Sequence, residues 1–178
     1  LLALTQEEAR ADAVAELAGD VYRLPSGIDI HTLSRYVEAC AVSGKHGLAL
    51  SLCLDPGAHL EEARETWRAF NSTVIEKVRG AEIEEGDDEP CFAHIRGSFD
   101  TGAVADTLYN WVTGDVVVVN QDGEASVRAD TFDCGHIARE VASSVGGEGE
   151  GKLSRARVFF PASDVSQDEF VEAVRRTL

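Results

Sequence analysis

Methionine is absent from all 178 residues, and lysine occurs only at Lys45, Lys77 and Lys152. A chain without an initiator methionine is expected to be a piece of a longer protein, with Leu1 inside it. Cysteine is scarce too. Cys40, Cys53, Cys91 and Cys134 never reach a C-x-x-C spacing, which excludes a zinc knuckle or a disulfide framework and leaves them as expected small buried hydrophobes. No stretch approaches the roughly 20 apolar residues of a membrane span, and the start lacks the basic-then-apolar layout of a signal peptide. A cytoplasmic protein without a membrane partner is the expectation.

Acid, by contrast, is abundant. Asp and Glu number 32 against 16 Lys and Arg, a formal charge of -16. Self-repulsion on that scale destabilises a fold in dilute buffer, whereas salt screens it within a Debye length of about 3 Å at 1 M. An acidic, lysine-poor surface therefore points to a salt-rich, halophilic cytoplasm. With 44% hydrophobic and 27% charged residues the chain is too apolar for disorder, and its length allows one or two compact units.

The first half reads as helical. Thr5 and Glu8 form a capping-box pattern for a helix to about Gly19, and Pro25-Ser26-Gly27 then interrupts. From Asp29, the apolar positions Ile30, Leu33, Val37 and Ala41 recur at helical spacing up to Gly44. A short apolar helix follows over Gly47 to Leu54. Leu60, Ala63, Trp67, Phe70, Val74, Ile75 and Val78 then mark a long amphipathic helix to about Gly80.

The acidic run Glu82 to Glu89, closed by Pro90, is the expected boundary, giving a helical region over 1–84 and a second unit over 85–178. Beyond it the pattern becomes mixed. Strands are expected at Cys91 to Ile95, at the valine run Asp115 to Asn120, at the alternating Ala125, Val127 and Ala129, and at Arg157 to Phe160, with a hairpin turn at Gln121-Asp122-Gly123. Helices are expected at Thr101 to Trp111, from an Asp133 cap through Val145, and after a Ser166 cap, while Gly146 to Gly151 reads as a glycine-rich loop. The fold class is thus α/β, a helical N-terminal half followed by a small mixed-sheet domain in the order β-α-β-β-α-β-α.

Chemistry-bearing residues are few. Gly146 through Gly151-Lys152 satisfies the G-x-x-x-x-G-K part of a phosphate-binding P-loop. It follows a helix rather than a strand, however, and Leu153 stands where the magnesium-binding Ser or Thr belongs, with Glu148 and Glu150 where phosphate oxygens would approach. An NTP-binding P-loop is excluded. What remains is a backbone suited either to a plain turn or to an anion-binding nest, followed at once by Lys152, Arg155 and Arg157. Arg128 shares one face of its strand with Ser126 and is either solvated, paired with a carboxylate or directed at a ligand. His94 and His136 have no partners at metal spacing, and no carboxylate pair, nucleophile-base set or metal cluster stands out. No catalytic residue and no cofactor or metal site is expected within this chain.

The Ser126-Val127-Arg128 strand, the helix after it, the glycine-rich segment and the alanine-bearing strand beyond resemble the DHH-associated domain at the C-terminal side of RecJ-like single-stranded-DNA exonucleases and related DHH phosphoesterases. The stretch from Asp29 to Leu54, with Leu33-Ser34-Arg35, Glu38-Ala39-Cys40 and Ala49-Leu50-Ser51-Leu52-Cys53-Leu54, is similar to the helical end of the preceding part in archaeal members. The resemblance implies a bilobal hydrolase of DNA repair or replication. Its DHH domain would hold manganese or magnesium with Asp and His for phosphodiester hydrolysis, while the associated domain grips single-stranded nucleic acid. No Asp-His-His motif occurs here, so the hydrolytic centre is expected elsewhere.

In that family the glycine loop ends in Gly-Gly-Gly-His. Gly146, Gly147, Gly149, Gly151 and Arg128 match, but Glu150 replaces a glycine and Lys152 the histidine, exchanging imidazole for a point charge. The residues implied to contact nucleic-acid phosphates are therefore Ser126, Arg128, Gly146, Gly147, Gly149, Gly151 and Lys152. The alternative implied by the altered loop is an inactive paralogue acting as a scaffold for replication proteins, like the cell-division-cycle helicase-associated relatives of RecJ in eukaryotes. An unrelated acidic α/β domain would show no basic patch around Lys152 and Arg128.

Overall fold

A computed structural model describes residues 22–25, 27–84, 90–112 and 115–178. The helix expected over Thr5 to Gly19 lies outside the described residues. Two compact units divide between Ala69 and Phe70, whereas the change of sequence character is read at 84/85.

The first unit is built from α1 (Ile30–Val42), α2 (His46–Leu54) and the first part of α3 (Pro56–Gly80). Asp29 caps α1 by accepting from the Thr32 backbone N–H at 2.8 Å and the Thr32 hydroxyl at 2.7 Å. Tyr36, Cys40, Ala49, Leu52 and Ala63 form its buried cluster, with Trp67 packed against it. Cys53 departs from expectation. It is exposed on α2, which is apolar around its circumference and leaves Leu50 and Leu54 exposed as well.

The second unit is a six-stranded sheet with helices on both faces. Its elements are β1 (Glu82–Glu84), β2 (Cys91–His94), α4 (Thr101–Tyr109), β3 (Val116–Gln121), β4 (Glu124–Ala129), α5 (Cys134–Val145), β5 (Glu148–Gly151), β6 (Arg155–Phe159) and α6 (Gln167–Thr177). The strand order is β1-β2-β3-β4-β6-β5. Only β2 and β3 run parallel, joined by the crossover helix α4. The valine run is buried on both sides, as central strands with helices on both faces require. Val116 and Val118 join Val127, Ala138, Val141 and Phe170 on the α5–α6 side, while Val117 and Val119 join Val74, Val104 and Leu108 on the other.

Two strands go beyond the expected order. Glu82–Glu84 pairs antiparallel with β2 despite its acidity. The glycine-rich segment is not a loop but strand β5, antiparallel to β6. Gly146 alone of that segment has a left-handed backbone, φ 70°, and ends α5. Gly149 is dictated by closeness, because a Cβ there would lie 2.2 Å from the Ala138 carbonyl oxygen of α5. The glycines let a strand lie directly against a helix.

Candidate nucleic-acid interface

Alternation along β4, β6 and β5 sorts their side chains. Ala125, Val127, Ala156 and Val158 enter the core beneath α5 and α6. The opposite face carries Glu124, Ser126 and Arg128 on β4, Arg155, Arg157 and Phe159 on β6, and Glu148 and Glu150 on β5. Register places them in three cross-strand rows: Arg128 beside Arg155; Ser126, Arg157 and Glu150; and Glu124, Phe159 and Glu148. A recess of about 480 Å³ opens on this face, lined by Arg128, Glu150, Gly151, Lys152, Arg155, Ala156 and Arg157. Four cations therefore gather around one depression in a chain whose formal charge is -16.

Helix α4 holds two of these cations in place. Arg128 is almost wholly buried. Its Nε donates to Asp106 Oδ1 at 2.6 Å, its Nη2 to the Gly102 carbonyl at 3.1 Å and its Nη1 to the Val127 carbonyl at 3.0 Å. This charge-assisted anchoring fixes the guanidinium plane and uses three of its five N–H donors. Arg157 Nη2 donates to Asp100 Oδ1 at 2.9 Å, and Glu124 stands 3.8 Å from its Nη1. Asp100 also caps α4 by accepting from the Gly102 N–H, so one carboxylate serves helix and arginine together. A Cβ at Gly102 would lie 3.1 Å from Nη2 of both arginines, and glycine leaves them room.

Arg155 is more open, with 69% of its side chain exposed and Asp106 3.9 Å away. Lys152 is exposed and makes no ion pair with the described residues.

The structure brings together three of the residues implied by resemblance, Arg128, Gly151 and Lys152. The other four lie elsewhere. Ser126 is fully buried, its hydroxyl 2.8 Å from that of Thr101, which also donates to Glu124 Oε1 at 3.0 Å. Gly146 ends α5, and Gly147 and Gly149 serve close packing, a Cβ on Gly147 meeting the Phe159 carbonyl oxygen at 2.1 Å. Gly147, Gly149 and Gly151 all lack positive φ, and Glu148–Gly151 is extended in β5, so beyond Gly146 the segment does not take the alternating right- and left-handed backbone of an anion-binding nest.

Arg157, noted from sequence only as a cation following the glycine segment, was not among the implied contacts, and neither were the carboxylates Asp100, which holds Arg157, and Asp106, which holds Arg128. The period-two pattern Arg155-Ala156-Arg157, with only the alanine in the core, is the signal that could have found the arginine. His136 is exposed on α5. His94 Nδ1 is buried without a hydrogen-bond partner among the described residues, beside a separate cavity of about 30 Å³. Among the described residues no group of three or more His, Cys, Asp or Glu side chains is arranged to hold a metal ion, and no helix is long and apolar enough to cross a membrane.

By sequence, no family model and no curated protein matches the chain. Solved structures match it by fold. RecJ from Thermus thermophilus in complex with Mg2+ superposes with a TM-score of 0.63 at 12% identity over 80% of this chain and 24% of that one. Exonuclease RecJ bound to manganese gives 0.58 at 13% identity, over 82% of this chain and 38% of that one. A DHH-domain protein described as a member of a family of ribosomal proteins gives 0.55 at 15% identity, over 81% and 40%. The chain thus spans about 24 to 40% of the length of these structures and shares its fold with that part of them.

Proposed function

We propose that this chain is the substrate-holding, C-terminal part of a RecJ-type DHH phosphodiesterase, and that the cationic sheet face binds the backbone phosphates of a single-stranded nucleic acid. The observation that carries the reading is the convergence of Arg128, Lys152, Arg155 and Arg157 on one recess of an otherwise acidic molecule. An unrelated acidic domain has no need of that patch. The shared fold with RecJ structures supports the same reading. The manganese or magnesium of such an enzyme has no fitting ligand set among the described residues, so this unit's own contribution is to hold and orient the phosphodiester.

The arrangement also sets how binding must work. Asp100 and Asp106 already take donors from Arg157 and Arg128, so a phosphate engages the donors left over and draws its remaining attraction from Arg155 and Lys152. Glu150, opposite Arg157, opposes an anion and keeps the site from being a general polyanion trap.

Fluorescence anisotropy with a labelled single-stranded oligonucleotide at two salt concentrations tests this. Arg155→Ala and Lys152→Ala are each expected to weaken binding several-fold and to lower the salt slope by about 1. Binding that ignores both changes, or no binding at all, would overturn the reading. The scaffold alternative, favoured by the carboxylates already paired with Arg128 and Arg157, expects that second result.

A further inference from the structure

We infer that Phe159 is a base-stacking platform that makes the cationic face selective for unpaired nucleotides, an inference that rests on the phosphate-holding role proposed above. Phe159 and Phe160 are consecutive and point to opposite sides of β6. Phe160 stacks on buried Phe170 with ring centroids 4.7 Å apart. Phe159 has no aromatic partner among the described residues, belongs to no core cluster and is 39% exposed on the face that bears Arg155 and Arg157. It lies two residues from Arg157 along the same strand face, a separation of about 6.8 Å, which matches the reach of one nucleotide from its phosphate to its base.

The flanking charges give that nucleotide a direction. Arg128 and Arg155 occupy the first row, Arg157 the second, and the third sets Phe159 between Glu124 and Glu148. Carboxylates on both sides of the ring exclude a phosphate from the third row. They leave the ring's π-face to a neutral base, with the backbone drawn toward the arginines. Glu124 is committed to Thr101 and Gln121 through bonds of 3.0 and 3.1 Å, so this edge of the platform is fixed in place. A base stacked inside a duplex offers no free face to such a ring. The platform therefore discriminates by strandedness, and because every base has a π-face it does so without reading sequence.

The test compares two labelled single strands of equal length, one of thymidylate and one of abasic sugar-phosphate, binding to the full 178-residue chain. The thymidylate strand is expected to bind about ten-fold tighter. Phe159→Ala should bring it down to the abasic level without changing abasic binding, and Phe159→Trp should restore the gain. An unchanged ratio in Phe159→Ala, or equal loss on both strands, would overturn the role of the ring. Arg155→Ala separates the two proposals. It should weaken both strands, and if neither strand binds or neither responds, the phosphate-holding role falls and the platform with it.

Discussion

The same three strands present opposite chemistries on their two sides. Toward α5 and α6, β4, β6 and β5 offer alanine, valine and glycine, and β5 lies so close to the helix that Gly149 has no space for a methyl group. On the other side they offer arginine, glutamate and one exposed phenylalanine, supported from the sheet's neighbouring half by two aspartates of α4. The first side is held by close packing of small apolar groups, the second by directed hydrogen bonds around space that a ligand could fill. On the proposed reading, stability and recognition fall to alternate residues of one backbone, and substitutions should separate them.

The largest effect is expected on the packed side. Phe170→Ala, removing a fully buried ring, should cost about 3–5 kcal/mol in a urea or thermal unfolding experiment. Gly149→Ala should follow at about 1–3 kcal/mol, because strand and helix must move apart to admit the new methyl group. Both should leave the affinity of the folded fraction for oligonucleotide unchanged if the two sides are independent.

Arg128 is where the separation should break down. Its side chain is buried yet lines the recess, so Arg128→Ala is expected to cost about 1–3 kcal/mol by removing its bonds to Asp106 and to the Gly102 and Val127 carbonyls, and also to weaken binding. A loss of affinity without loss of stability would show that the α4 anchors contribute little.

The smallest effect concerns acid. In the capping box of α6, the Ser166 backbone N–H and hydroxyl hold the Glu169 carboxyl below its ordinary range. Since the folded value is the lower one, this contribution is fully present above the ordinary carboxylate range and disappears as pH falls through the folded value. Glu169→Gln should therefore show a slightly shallower acid loss of stability than the parent protein when unfolding is followed by circular dichroism across that range.

Much of the mixed sheet was legible because local signals agreed with tertiary need. Asp133 and Ser166 cap the helices expected of them, and Gly123, with φ 79°, closes the hairpin expected at Gln121-Asp122-Gly123. β5 and β1 escaped for different reasons. The glycines of β5 reflect how near Ala138, Phe159 and Ala156 approach, a tertiary fact that composition reports only as flexibility. Glu82–Glu84 is a strand by backbone pairing alone, with none of the alternation that marks a half-buried one.

The site was legible in part for a related reason. Period two correctly put Ser126 and Arg128 on one face, but their fates diverge through contacts made far along the chain. Thr101 covers the serine, whereas Asp106 fixes the arginine at the edge of the recess. Cys53 shows the converse, an apolar-looking helix position that the fold leaves outside.

The outermost strands also bear on how the molecule behaves in a crowded solution. β1 carries Glu82 and Glu84, and β5 carries Glu148 and Glu150, so both borders of the sheet repel their counterparts on another copy. Replacing these four glutamates by glutamine removes that repulsion, so border-to-border association of copies should then appear in sedimentation of the variant.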